Sequence, residues 1–117
     1  MAEISIAIEQ ALKDYLSDLA KYYLLDRVIL FGSMAQGRAK PDSDIDLAIF
    51  SSDVTDENRL KIMADCWLKT MPYHLDIQPV VYPLADYYDT TNDFIQKEII
   101  AGGVEIPVPK GDPDARR

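Results

Sequence analysis

The stretch Val28–Phe50, V-I-L-F-G-S-M-A-Q-G-R-A-K-P-D-S-D-I-D-L-A-I-F, constrains this chain more than any other. Two apolar β-type runs, Val28 to Phe31 and Ile45 to Phe50, bracket a turn bearing Gly32 and Ser33 and a polar loop that ends in Asp42, Asp44 and Asp46. A missing side chain at Gly32 lets an anion approach the backbone, and the hydroxyl of Ser33 with the amides after it can hydrogen-bond a phosphate. Strand alternation puts Asp44 and Asp46 on one face, roughly 6–7 Å apart. Carboxylates so placed can share a pair of divalent cations, whose shells call for a third anionic ligand and a polyphosphate. Asp46 lies inside an apolar strand, where a carboxylate is costly unless paired or metal-bound.

Helical spacing of Ile4, Ile8, Leu12, Leu16 and Leu19, with Glu9, Lys13, Asp14 and Asp18 on the other side, predicts an amphipathic helix from about Glu3 to Lys21. Met34 to Gly37 has room for one helical turn, which would set Ser33 at a helix start. The loop after it carries Arg38 and Lys40, either touching a triphosphate or simply solvated. Ile45, Leu47 and Ile49 face away from the aspartates, so helices should cover that face and leave the aspartate face open. Thr55 or Asp56 is read as the cap of a helix carrying Leu60, Met63, Ala64, Trp67 and Leu68, with Cys66 and Trp67 in or near the core and Pro72 as its stop.

The run His74 to Tyr82 alternates Leu75, Ile77 and Pro79 against His74, Asp76 and Gln78. It is read as a strand beside the one carrying Asp44 and Asp46, which brings Asp76 to the same face as a third carboxylate; Pro79 places it at an edge or bulge. Thr91 or Asn92 caps a last helix, Asp93 to Ala101, stopped by Gly102 and Gly103, and Val104 to Val108 can add a short strand. Pro83 to Asp89 has no clear pattern. Residues 1–109 are read as one domain and 110–117 as a frayed tail.

Other accounts of the acidic loop fit less well. An EF-hand needs glycine at the sixth place, where Leu47 stands. An acidic turn explains Asp42 but not Asp46 within a strand. A Walker-type loop lacks its Gly-Lys-Ser/Thr. A chain of 117 residues has one core and no room for a separate acceptor-binding domain. Its net charge of −8 argues against grip on a nucleic-acid backbone, which takes clustered Lys and Arg. A lone cysteine, Cys66, excludes an internal disulfide and a Cys-based zinc site. With no apolar run of the ~18 residues a membrane span takes and no signal-peptide plan, the sequence is read as cytoplasmic.

Gly32-Ser33, Ala35, Gly37 and Ser43-Asp44-Ile45-Asp46-Leu47 resemble, in order and spacing, the Gly-Ser then Asp-x-Asp signature of the minimal nucleotidyltransferases of the DNA polymerase beta superfamily. The resemblance is close over Arg27 to Phe50 and looser through His74 to Val81. Gln36 stands where many members carry a basic residue, with Arg38 or Lys40 as substitutes. The fold implied is α/β (α+β): a single-domain mixed β-sheet, polymerase beta palm-like, with helices packed on one face. The activity implied is transfer of a nucleoside monophosphate, AMP from ATP, to a hydroxyl. In that comparison Asp44, Asp46 and Asp76 hold two Mg²⁺ ions and serve catalysis, and Gly32, Ser33, Arg38 and Lys40 bind the nucleotide. The partner implied is a helical HEPN-type toxin, modified on a tyrosine, with this chain as antitoxin. Two alternatives stand beside it: a non-catalytic antitoxin that neutralises by contact, or a small-molecule nucleotidyltransferase of the aminoglycoside type, built as a homodimer.

Overall fold

The computed structural model describes residues 6–32, 35 and 44–108. Ser33, Arg38, Lys40 and the one-turn helix expected after Ser33 fall outside them, apart from Ala35. Helix α1 spans Ile6–Leu19 and buries Leu12, Tyr15, Leu16 and Leu19; of the stripe the periodicity predicts, Ile8 is half-buried and Ile4 lies outside the described residues. Strands β1 (Arg27–Phe31), β2 (Ile45–Ser51), β3 (Ile77–Pro83) and β4 (Val104–Ile106) form one sheet in the order β3-β2-β1-β4. The β2–β3 pair is parallel and the other pairs are antiparallel, so the sheet is mixed, as expected. β3 is an edge strand, which is where Pro79 and Pro83 can sit without removing a ladder donor the sheet needs.

Helix α2, Arg59–Leu68, packs with α1 on one sheet face. There Leu16, Leu19, Ile62 and Cys66 meet Val28, Leu30, Ile45, Leu47, Ile49 and Ile77. The Tyr15 hydroxyl donates to the Cys66 carbonyl at 2.8 Å and joins the two helices. Two details of α2 differ from expectation. The cap position is Asn58, whose backbone N–H donates to Thr55 Oγ1 at 3.2 Å while its Oδ1 accepts from the Thr55 N–H at 2.7 Å. Trp67 is 42% exposed and not core; its indole N–H reaches the Pro79 carbonyl of edge strand β3 at 2.9 Å.

After α2 the chain makes a 3₁₀ turn at Met71–Tyr73, with Pro72 inside it, and His74 adopts a left-handed backbone at φ 52°. That turn delays β3 to Ile77, three residues later than the alternation predicts. The unassigned Pro83–Asp89 segment contains a short helix, α3 (Leu84–Tyr87). The last helix, α4 (Phe94–Ala101), is wound as a π-helix; Asn92 Oδ1 accepts from the Ile95 N–H at 3.1 Å.

The second sheet face is covered at one end. Ile95 and Ile99 of α4 pack on Ile29, Ala48 and Phe50, and Phe31, Val80, Tyr82, Leu84, Tyr87 and Ile100 pack around this smaller cluster. Only the end of that face carrying Asp46 lacks such a cover among the described residues, so the open aspartate face is shorter than the strand pattern implies. No helix among the described residues is long and apolar enough to cross a membrane.

Candidate active site

Asp46 is the second residue of β2, flanked by Ile45 and Leu47, both buried in the α1–α2 core. Alternation therefore turns its carboxylate to the other face. Its cross-strand neighbour on β1 is Phe31 and on β3 Gln78, so this pair frames it across the sheet. Gly32, immediately after Phe31, has φ +76°, and a Cβ there would run into Asp46 Oδ2. The backbone at the end of β1 is thus laid directly against the carboxylate, which no residue with a side chain could do in this conformation.

Burial pushes the Asp46 carboxyl above the usual carboxylate range, and the charge of Asp44 pushes it the same way. Asp44 is exposed, one residue before β2. The two form an anionic pair whose repulsion favours either a proton or a cation between them. Asp76, also exposed, precedes β3 by one residue, and its carbonyl accepts the Ile45 N–H at 2.8 Å. The parallel register, Ile45 with Ile77 and Asp46 with Gln78, sets Asp44 and Asp76 side by side when extended by one residue. Asp76 is tied to the pair by backbone pairing. Among the described residues no three His, Cys, Asp or Glu side chains gather as a metal cluster.

The donor set nonetheless suits a hard divalent cation. Asp44 and Asp46 offer carboxylate oxygens only, the ligands magnesium prefers, and magnesium takes one or two carboxylates with phosphate oxygens and water filling the rest. Gly32 leaves a gap in the side-chain wall directly beside the Asp46 carboxylate.

Residues 9–101 match the family described as Nucleotidyltransferase domain. The chain belongs to that family. A nucleotidyltransferase relative from Methanocaldococcus jannaschii, named "Putative protein adenylyltransferase MJ0141", is 32% identical over 78 residues, covering 64% of this chain and 79% of its own. The family match, residues 9–101, spans β1, β2 and β3, hence Gly32, Asp44, Asp46 and Asp76 alike. The chain is accordingly a nucleotidyltransferase with a four-stranded mixed sheet.

Three residues that frame the site are not singled out by the sequence: Phe31, Gln78 and Phe94. Phe31 and Gln78 become visible once strand register is known. Phe94 opens α4 and meets Phe31 edge to face, with ring centroids 6.3 Å apart. Its signal is an apolar ring directly after the polar run Thr91-Asn92-Asp93, at a helix start where exposure is common.

Proposed function

We propose that this nucleotidyltransferase moves AMP from ATP to a tyrosine hydroxyl of a helical partner protein, a HEPN-type toxin that the modification neutralises. The observation that carries the reading is Asp46, coupled by charge to Asp44 and lying against the open backbone of Gly32. The relative named as a protein adenylyltransferase supports a protein acceptor.

In this reading the acceptor oxygen attacks the α-phosphorus. A new O–P bond forms, the bond from the α-phosphorus to its bridging oxygen breaks, and pyrophosphate leaves with that electron pair. The acceptor proton passes to a carboxylate, for which Asp76 on the β3 side is the candidate. Asp44 and Asp46 would hold Mg²⁺, with Asp76 completing the set; the ions, when bound, neutralise charge on the triphosphate and on the attacking oxygen. Gly32, with Ser33, Arg38 and Lys40 after it, receives the distal phosphates. Most of the catalysis is positioning and charge neutralisation. β3 is an edge strand, so an acceptor reaches Asp76 without crossing another strand.

The test is incubation of the chain with α-labelled ATP, Mg²⁺ and a HEPN-type partner that co-purifies with it. Label is expected on a partner tyrosine and is lost with Asp44→Asn or Asp46→Asn while the complex persists. Neutralisation of the partner that survives both substitutions would instead identify a protein acting by contact alone.

A further inference from the structure

The aspartate patch has an aromatic border on its β1 side. Phe31 is the cross-strand neighbour of Asp46, and Phe94 lies edge-on to Phe31 at 6.3 Å, with ring planes at 89°. Phe31 is half-buried against the smaller core. Phe94 is 51% exposed although it opens a helix whose next residue, Ile95, is fully buried. The helix start that carries it is anchored to the preceding turn: Asn92 Oδ1 accepts the Ile95 N–H, and the Gln96 side-chain amide donates to the Asp89 carbonyl at 3.1 Å. A half-exposed aromatic on an anchored helix start, in contact with Phe31, therefore stands where the covered part of this face ends and the carboxylates begin.

We propose that Phe94, backed by Phe31, is the stacking platform for the base of the nucleoside triphosphate. This rests on the nucleotidyl-transfer reading above. The two sides of Asp46 differ in chemistry: β3 offers Gln78 and Asp76, both polar, and β1 offers Gly32 followed across the face by two phenyl rings. A nucleotide has the same division, an anionic end and a flat apolar base. Phosphates against Gly32 put the base within reach of Phe94 and leave the β3 edge to the acceptor. Because every base has a π-face, stacking here favours nucleotides over bare polyphosphate without choosing strongly among bases.

The experiment compares ATP and inorganic tripolyphosphate, each with Mg²⁺, binding to the wild type, Phe94→Ala, Phe94→Leu and Phe94→Trp. Losing the ring should weaken ATP by about 5- to 150-fold, the range of one base–aromatic stack, and leave tripolyphosphate unchanged. Phe94→Leu, which keeps apolar contact with Phe31, should lose ATP affinity as Phe94→Ala does. Phe94→Trp should retain it and show indole fluorescence quenched by ATP and not by tripolyphosphate. Equal weakening of both ligands, or ATP binding indifferent to Phe94→Leu, overturns the stacking role and leaves nucleotidyl transfer standing. A wild type that binds neither ligand overturns the transfer reading and this inference with it.

Discussion

The Asp46 carboxylate occupies the space that a side chain on Gly32 would need. Gly32 also holds φ at +76°, a conformation that L side chains rarely adopt. Gly32→Ala thus carries two separate penalties, a strained backbone of about 1–2 kcal/mol and a collision with the group at the centre of the site. The variant should unfold at lower temperature and lose transfer by about 10²-fold or more, since small displacements of a reacting group have effects of that size. A double-mutant cycle separates the parts. In an Asp46→Ala background the collision is gone, and Gly32→Ala should cost only the backbone strain; an unchanged cost would show that the carboxylate does not press on this turn.

Asp46 should trade stability for chemistry. Its carboxyl is raised by burial first and by Asp44 second, so the folded chain holds that proton more tightly than the unfolded one. The contribution to stability is then complete below the ordinary carboxylate value and is lost as pH rises through the elevated one. At neutral pH the ionised group works against folding. Asp46→Asn should therefore raise the melting temperature at pH 7, with a gain that shrinks as the pH is lowered toward the carboxylate range, while transfer falls by about 10³-fold, on the scale of losing one preorganised charge. Added Mg²⁺ should stabilise the wild type more than the variant. Melting curves across pH, with and without Mg²⁺, read all three.

How much of this was legible depended on the range of the interactions involved. Helix α1, strands β1 and β2 and the aspartate face follow from local periodicity, and Asp46 announced itself as a carboxylate within an apolar strand. β3 began late because the left-handed backbone at His74 is a tertiary outcome that the alternation of Leu75 and Ile77 does not record. The smaller core was also hidden. Ala48 and Phe50 share a face with Asp46, but β2 reads as apolar on both faces, and nothing local says that Ile95 and Ile99 come to cover one of them. Trp67 looked like core by spacing, yet its indole N–H pulls it to the β3 edge, where it finds a carbonyl. Asp76 was legible as a candidate only through its assumed pairing with β2, and the register supplies that pairing through the backbone.

Cys66 should be chemically silent in the folded chain. Burial pushes its thiol up to about 12, Asp65 pushes the same way, and Lys69 opposes them. The thiolate is the reactive form, and a rise of this size lowers its fraction at pH 8 by about three orders of magnitude relative to an ordinary thiol. Alkylation by iodoacetamide at pH 8 should then proceed only as fast as the chain opens, and addition of urea should accelerate it sharply. Fast stoichiometric labelling of native protein would contradict the burial. The linked stability is intact below the ordinary thiol value and falls as pH rises from there toward about 12.

Gly102 and Gly103 look alike as a helix stop, but the structure separates them. Gly102 ends α4 with φ −92° and ψ −7°, a right-handed backbone open to alanine. At Gly103 a Cβ would meet the Ile99 carbonyl, the Ile29 side chain and the Leu30 carbonyl, two of them backbone atoms of α4 and β1 that cannot swing aside. This glycine is where α4 turns into β4 against the middle of β1, so any side chain pries apart the helix, whose Ile95 and Ile99 fill the smaller core, and the strand leading to Gly32. Gly103→Ala should cost about 1–3 kcal/mol, the usual scale of overpacking, which in a domain this size lowers the melting temperature by several degrees per kcal/mol. Gly102→Ala should be neutral or stabilise by up to about 1 kcal/mol through the unfolded state. Equal effects at the two positions would mean that the pair serves only to end the helix. A selective loss at Gly103, with transfer weakened in the same variant, would show that the close packing of α4 on β1 is also what holds Phe31 and Gly32 at the edge of the site.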